Sequence, residues 1–178
     1  MYQNYLQQWS PLWSGKFTDE AEKIKSALGE NIKDIQHIGS TSIPGMSAKP
    51  IIDMGVLVDS IENTTFFVEK LEVLGYSYKP DMSSMERIFM RKGTPVEYHL
   101  SIACPRHTFW ERQILFRNYL IKHPKLIQEY NNLKSSNIES TPKEDFEDLS
   151  RSKVYNKGKG DFVAKVLELA QNDKQSPV

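Results

Sequence analysis

His37-Ile-Gly-Ser-Thr-Ser-Ile-Pro-Gly-Met-Ser-Ala-Lys-Pro-Ile-Ile-Asp53 links a short strand at about 33–38 to a second at 51–58. Its first part, Gly39-Ser40-Thr41-Ser42, offers a glycine, hydroxyls and free backbone N–H groups directly after a strand. Such a bend can cradle a phosphate, because successive N–H groups form an anion-binding concavity. Lys49 adds positive charge near the far end. An ordinary surface turn has the same composition, so the bend alone decides little. The run that follows, Ile51-Ile-Asp-Met-Gly-Val-Leu-Val58, is β-rich and nearly all apolar, as a strand covered on both faces should be. In extended chain Ile52, Met54, Val56 and Val58 line one face, while Asp53 lies on the other between Ile51 and Gly55. A carboxylate there is costly unless solvated, paired or bound to a metal. Gly55 removes bulk beside it, which suits close approach of a ligand or of another backbone. Capping of a loop, or pairing with Lys49 or an arginine, would explain Asp53 without any chemistry.

Outward from this stretch, residues 1–13 read as an irregular aromatic arm interrupted by Pro11. Thr18 then reads as the N-cap of a helix carrying Phe17, Ala21, Ile24 and Leu28 on one stripe and stopped by Gly29. Downstream, a helix is predicted over 61–74, a strand over 76–79, a polar loop over 80–85, and a hairpin of 86–92 with 96–102 turning at Gly93-Thr-Pro. Val96, Tyr98, Leu100 and Ile102 alternate with Glu97, His99 and Ser101, and Arg87, Phe89 and Arg91 share a face. If these polar faces join that of Asp53, one cleft holds carboxylate, imidazole and guanidinium groups. That mixture suits a phosphorylated ligand, which arginine binds with a bidentate fork. The solvated outer face of an antiparallel sheet would show the same alternation, and His99 by itself suits a structural role as well as a functional one.

After Pro105 the pattern turns helical, over about 107–122, 124–138 and 145–171, broken by Pro124 and Pro142 and frayed beyond Gln171. Trp110, Ile114, Phe116, Tyr119 and Leu120 read as core packing against the sheet. Tyr155, Lys159, Phe162 and Val166 share one helical stripe, while Gly158 and Gly160 weaken helix there and allow a hinge that would carry Lys159 to the cleft. The expected architecture is α/β (α+β): a mixed sheet of four to five strands with flanking helices and a helical C-terminal third. It forms one domain over 1–178, with a sheet-bearing core of about 17–103 and a helical part of about 106–171.

Bulk composition narrows the function classes. The 178 residues suffice for one domain that buries about 70% of its unfolded surface without a disulfide or metal staple. Lys+Arg and Asp+Glu are both 23, so no charge excess supports strong general nucleic-acid binding, although a local basic patch is allowed. The single cysteine, Cys104, excludes a disulfide framework and Cys-rich zinc modules and reads as a small buried hydrophobe. No apolar run approaches the roughly 18 residues of a spanning helix, and the N-terminus lacks the layout of a secretory signal. A cytoplasmic protein without membrane partners is expected.

The quoted stretch resembles the signature of the GrpB family of bacterial proteins. The resemblance extends to Trp13, Phe17 and Glu20 upstream, and downstream to Tyr98-His99-Leu100-Ser101-Ile102, to Phe116-Arg-Asn-Tyr-Leu with His-Pro124, and to Tyr155, Lys159 and Phe162. It implies a nucleotidyltransferase-like α/β fold. There a Gly-Ser turn holds nucleotide phosphates, and a strand about ten residues on carries Asp-x-Asp/Glu on Mg²⁺, which stabilises the transferred phosphoryl group. Twelve residues separate Ser40 from Asp53, in keeping with that pattern, but the second carboxylate position is Gly55, and Ser101 stands where the family commonly has His. Glu97 is the candidate for a further carboxylate. The resulting expectations are Asp53, His99 and His37 for catalysis; Gly39, Ser40, Thr41, Ser42, Lys49, Arg87, Arg91 and Lys159 for phosphate or nucleotide; and Asp53 with Glu97 for one Mg²⁺. The activity implied is nucleotidyl or phosphoryl transfer. The alternatives are a non-catalytic domain binding a nucleotide or phosphorylated metabolite, or a protein-interaction module.

Overall fold

The computed structural model describes residues 5–149 and 151–175. Its first helix, α1 (Leu12–Leu28), starts well before Thr18. Pro11 stands at the N-cap, where a missing N–H costs nothing, and Trp13 is buried in the first turn. Thr18 is therefore interior, its hydroxyl donating to the Ser14 carbonyl at 3.1 Å rather than capping. Residues 1–4 of the expected arm lie outside the described residues; Gln7 pairs with Ala48 in an isolated bridge, and Tyr5 packs edge-on against Phe146.

The strands are β1 (Asp34–Ile38), β2 (Ile52–Leu57), β3 (Tyr76–Tyr78), β4 (Arg87–Lys92) and β5 (Tyr98–Ala103), with α2 (Thr64–Glu72) between β2 and β3. Asn63 caps α2 by accepting the Phe66 N–H. The sheet order is β1-β2-β5-β4-β3. Only β2 and β5 run parallel; β1 with β2, β4 with β5, and β3 with β4 are antiparallel. The apolar face predicted for β2 carries the core: Ile52, Met54 and Val56 pack with Leu100, Ile102 and Met90 beneath Ala21, Ile24 and Leu28 of α1 and Phe67 and Leu71 of α2. Within this layer Glu20, only 1% exposed, accepts from Lys92 at 2.6 Å and Lys23 at 3.0 Å. Burial raises its pKa, but the two lysine hydrogen bonds outweigh that and hold it below the usual 4.5.

The opposite face is partly roofed by helices: α3 (Phe109–Lys122), α4 (Pro124–Ser140), α5 (Lys153–Asn156) and α6 (Lys159–Gln175). Ile43, Met46, Leu120, Ile127, Tyr130, Phe162 and Val166 form their common core with the loop after β1. The single helix expected over 145–171 is instead a 3₁₀ turn (Lys143–Glu147), then α5, then α6. The reason is local bonding. Ser152 caps α5 by accepting the Tyr155 N–H, Gly158 turns the chain at φ +69°, and Asn137 of α4 donates to the carbonyls of Tyr155 and Lys157. Those carbonyls are satisfied across the gap between helices instead of along one helix. At its other end α6 continues through Gln175, beyond the expected fraying. Among the described residues no helix is long and apolar enough to cross a membrane.

Candidate functional site

Strand register brings the predicted polar faces into one row. Asp53 of β2 is paired with His99 of β5, and His99 with Arg91 of β4. Residues paired across neighbouring strands project to the same side. Asp53 Oδ1 accordingly lies 3.0 Å from His99 Nδ1, and the imidazole is tilted against Phe89. This bond leaves Nε2 as the ring nitrogen available to a ligand.

The Gly39–Ser42 bend closes over Asp53. Gly39 has φ +68°, and a Cβ there would stand 2.8 Å from Asp53 Cβ and 2.9 Å from Cγ, so close approach of the carboxylate requires glycine. Ser40–Ser42 form one 3₁₀ turn whose bonds run from the Ser42 N–H to the Gly39 carbonyl and from the Ile43 N–H to the Ser40 carbonyl. The amides of Ser40 and Thr41 are left unbonded within the turn. The Ser42 hydroxyl donates to the Gly39 carbonyl at 2.6 Å and is committed locally.

Beside Asp53 is a hollow of 170 Å³ lined by Ser40, Thr41, Lys49, His99, Lys134 and Lys159, among others. Two tyrosines, Tyr130 and Tyr155, complete its walls. Lys159 Nζ lies 3.8 Å from the Tyr155 ring centre and Lys49 Nζ 5.4 Å from it, while Lys134 Nζ lies 4.7 Å from the centre of Tyr130. Lys134 is buried and donates to the Ser47 carbonyl. Asn131, one turn away on α4, accepts the Ser47 N–H and donates to the Gly45 carbonyl, so α4 clamps the loop leading to β2. Burial and then the charge of Lys159 bring Lys134 down to about 7. Burial and then Lys49 bring Lys159 to about 8, against the opposing pull of Asp53, and burial also lowers Lys49. Three lysine amines crowd one hollow that holds one carboxylate.

The remaining expected residues are placed differently. Arg91 borders an adjoining 310 Å³ hollow, its Nη1 3.4 Å from Asp148 Oδ2. Arg87 donates to the Ser101 hydroxyl at 3.0 Å and lies over the rings of Phe89 and Phe109, outside the lysine cavity. His37 is in register with Met54, on the α1 side of the sheet, stacked on Phe17 with ring centres 5.0 Å apart. Thr41 donates to the Ile51 carbonyl and takes the His37 Nε2–H at 2.9 Å. That pattern suits a neutral ring, which burial favours by lowering the pKa to about 4. Glu97 precedes β5 and pairs with Lys16 of α1 at 3.7 Å.

The donor set does not fit a divalent cation. One oxygen of Asp53 is engaged by His99, the other abuts Gly39, and Glu97 is turned toward α1. At the second carboxylate position, a Cβ on Gly55 would meet the Trp110 indole of α3 at 3.0 Å and Ile38 at 3.3 Å. Among the described residues no three His, Cys, Asp or Glu side chains come together as a metal-holding group. The space that Gly55 leaves is filled by packing rather than by a ligand.

Sequence reading missed Lys134 and Tyr130, and it read Trp110 as core packing against the sheet without placing it beside Gly55. For the first two a signal existed: Ile127, Tyr130, Lys134 and Asn137 form one buried stripe of α4. A lysine and an asparagine on such a stripe mark a polar interior. A hollow of 780 Å³ between α3 and α6 shares no lining residue with those around Asp53.

A mixed five-stranded sheet with a Gly-Ser bend set against a strand aspartate defines a nucleotidyltransferase-like α/β fold. The Cid1 poly(U) polymerase shares it at a TM-score of 0.50 and 15% identity, over 74% of this chain and 42% of that one. The model of the GrpB protein family matches residues 5–169, and the chain belongs to that family. The crystal structure of GrpB from Enterococcus faecalis superposes with a TM-score of 0.81 at 30% identity, covering 96% of this chain and 99% of the other. The glutamate-rich protein GrpB of Alkalihalophilus pseudofirmus is 31% identical over 87% of this chain and 88% of its own length. YqkA of Bacillus subtilis is 41% identical over 68% of this chain, which spans 36% of YqkA. A dephospho-CoA kinase of Mycolicibacterium paratuberculosis is 29% identical over 52% of this chain and 26% of its own.

Proposed function

We propose that the chain binds a nucleotide or other phosphorylated small molecule, its phosphate held by Lys49, Lys134 and Lys159 beside the Gly39–Ser42 bend, without a metal ion. The observation that carries this reading is the convergence of three lysine side chains on one 170 Å³ hollow containing a single carboxylate. Desolvated lysines repel one another and are poorly hydrated. An anion that enters restores both the charge balance and the hydrogen bonds. The same hollow repels a divalent cation, so the lysines do the electrostatic work that Mg²⁺ does in the wider superfamily. The nucleotidyltransferase-like fold favours a nucleotide as the phosphate carrier.

A second reading, nucleotidyl or phosphoryl transfer at this site, is favoured by one observation. The 3.0 Å bond between Asp53 Oδ1 and His99 Nδ1 orients an imidazole whose Nε2 is free to take a proton from an attacking hydroxyl. The experiment is a calorimetric titration of inorganic phosphate and of adenosine and uridine nucleotides, in chelator and in Mg²⁺, with the parent chain and Asp53→Asn. Binding that is equal in chelator supports the metal-free reading. Binding that needs Mg²⁺, and loses that dependence in Asp53→Asn, restores the metal-dependent enzyme. No binding at millimolar concentration leaves the interaction module.

A further inference from the structure

A second hollow opens from the lysine cavity, sharing Ser40, Asp53 and Tyr130 with it and running beneath α3 and α6. Its volume is 350 Å³, against 170 Å³ for the lysine cavity. Small-ligand sites occupy roughly 300–1,000 Å³, so the smaller hollow accommodates one group of a ligand and the larger one can take its body.

We propose that this second hollow holds a planar heterocycle and the lysine cavity its terminal phosphate, so that the ligand is a phosphomonoester of nucleoside type. The inference rests on the phosphate reading of the lysine cavity and adds the identity of what the phosphate is attached to.

Three features argue for it. Part of the second hollow's wall is apolar and includes three aromatic rings: Phe109 and Phe116 of α3 and Tyr130 of α4, with Val163 and Leu167 of α6. Tyr130 is held rigidly, stacked on Phe162 with ring centres 4.5 Å apart at 8° and meeting Phe116 edge-on at 6.1 Å. With Tyr130 stacked on Phe162 and Lys134 Nζ 4.7 Å from its ring centre, Phe109 and Phe116 are the rings on which a flat aromatic body gains stacking. The rim carries Glu86, Arg112 and Gln113. A carboxylate acceptor, a guanidinium donor and an amide able to do both match the mixed edge of a heterocycle bearing ring nitrogens and an exocyclic amine or carbonyl. An aliphatic chain would leave this mixture unused, and a bare sugar would leave the aromatic rings unused.

Charge narrows the phosphate end. With all three lysines protonated, as an entering dianion favours, the lysines against Asp53 leave a surplus of two positive charges. A phosphomonoester approaches two negative charges near neutrality, whereas a diester carries one. A triphosphate carries more charge and a longer chain than the small hollow can enclose. Burial holds the phenols of Tyr130 and Tyr155 protonated, so they add no competing negative charge.

The test is a calorimetric titration of the full chain in chelator with inorganic phosphate, ribose 5-phosphate, adenosine and uridine 5′-monophosphates, and their cyclic diesters. At least one nucleoside monophosphate is expected to bind tenfold or more tightly than both ribose 5-phosphate and its own cyclic diester. Gln113→Ala, at a half-buried rim position, and Phe116→Ala are expected to shrink the preference for nucleotide over ribose 5-phosphate at least threefold. Gln113→Ala keeps the test valid if Phe116→Ala fails to fold. Nucleoside monophosphates that bind no better than ribose 5-phosphate, or diesters that bind as well as monoesters, overturn this inference while leaving the phosphate reading intact. Failure of phosphate and every phosphate ester to bind overturns both.

Discussion

Replacing Lys134 by methionine should make the protein more stable and less able to hold phosphate. Lys134 is 2% exposed, and its pKa falls from 10.5 to about 7 because burial and the neighbouring Lys159 disfavour its charge. With the folded pKa below the unfolded one, the unfolded chain binds more protons between these values, and stability rises with pH across that window. At pH 7 the buried amine withholds ~4 kcal/mol of stability, and at pH 9 ~2 kcal/mol. Methionine keeps the packing of the stem against Tyr130 but leaves the Ser47 carbonyl without the Lys134 donor, a loss of about 1–3 kcal/mol. The net gain at pH 7 is then ~2 kcal/mol, or a rise in Tm of ~4–8 °C for a chain of this size. By pH 9 the gain should nearly vanish. Thermal unfolding followed by circular dichroism in phosphate-free buffer at both pH values measures this. Repeating it with millimolar phosphate should raise the Tm of the parent more than that of the variant. A variant that melts no higher than the parent at pH 7, or whose advantage is unchanged at pH 9, would refute the picture of Lys134 as a desolvated ammonium.

Gly39→Ala, forced toward Asp53 at a left-handed φ, should lower stability by about 1–3 kcal/mol and weaken phosphate binding at least tenfold; denaturant unfolding and calorimetry read the two effects separately. Gly55→Asp should not create a magnesium site, because the new side chain collides with Trp110. The expected outcome is a loss of about 1–3 kcal/mol from overpacking and a Tm indifferent to added MgCl₂, and a magnesium-dependent rise in Tm would contradict it. Glu20→Gln should cost about 2 kcal/mol at neutral pH by breaking the buried contacts to Lys92 and Lys23. Because the folded pKa of Glu20 lies below 4.5, the parent loses this contribution as the pH falls below that value, so the Tm gap between parent and variant should close in acid.

Period-two alternation assigned Asp53, His99 and Arg91 to one side of their strands, and the register of the sheet aligned them in a single row. The same alternation grouped Glu97 with His99, yet Glu97 falls before β5 begins at Tyr98 and is turned by the preceding loop toward Lys16. Thr18 resembled a cap because threonine before acidic residues is a local signal. Trp13, buried in the first turn of α1, is the tertiary contact that draws the helix back to Leu12. Proline and glycine punctuation marked where the helical third breaks, but not that Asn137 would bond the carbonyls between α5 and α6.

By itself the sequence determined the faces of the strands, the Gly-Ser bend and the family, because these depend on residues near one another along the chain. Only the tertiary structure decided that Lys134 and Lys159 meet Lys49, that His37 turns away to Phe17, and that Trp110 fills the space beside Gly55. Those outcomes depend on which helix roofs which part of the sheet. Such packing is settled by burial summed over many distant contacts, and no local period in the chain encodes it.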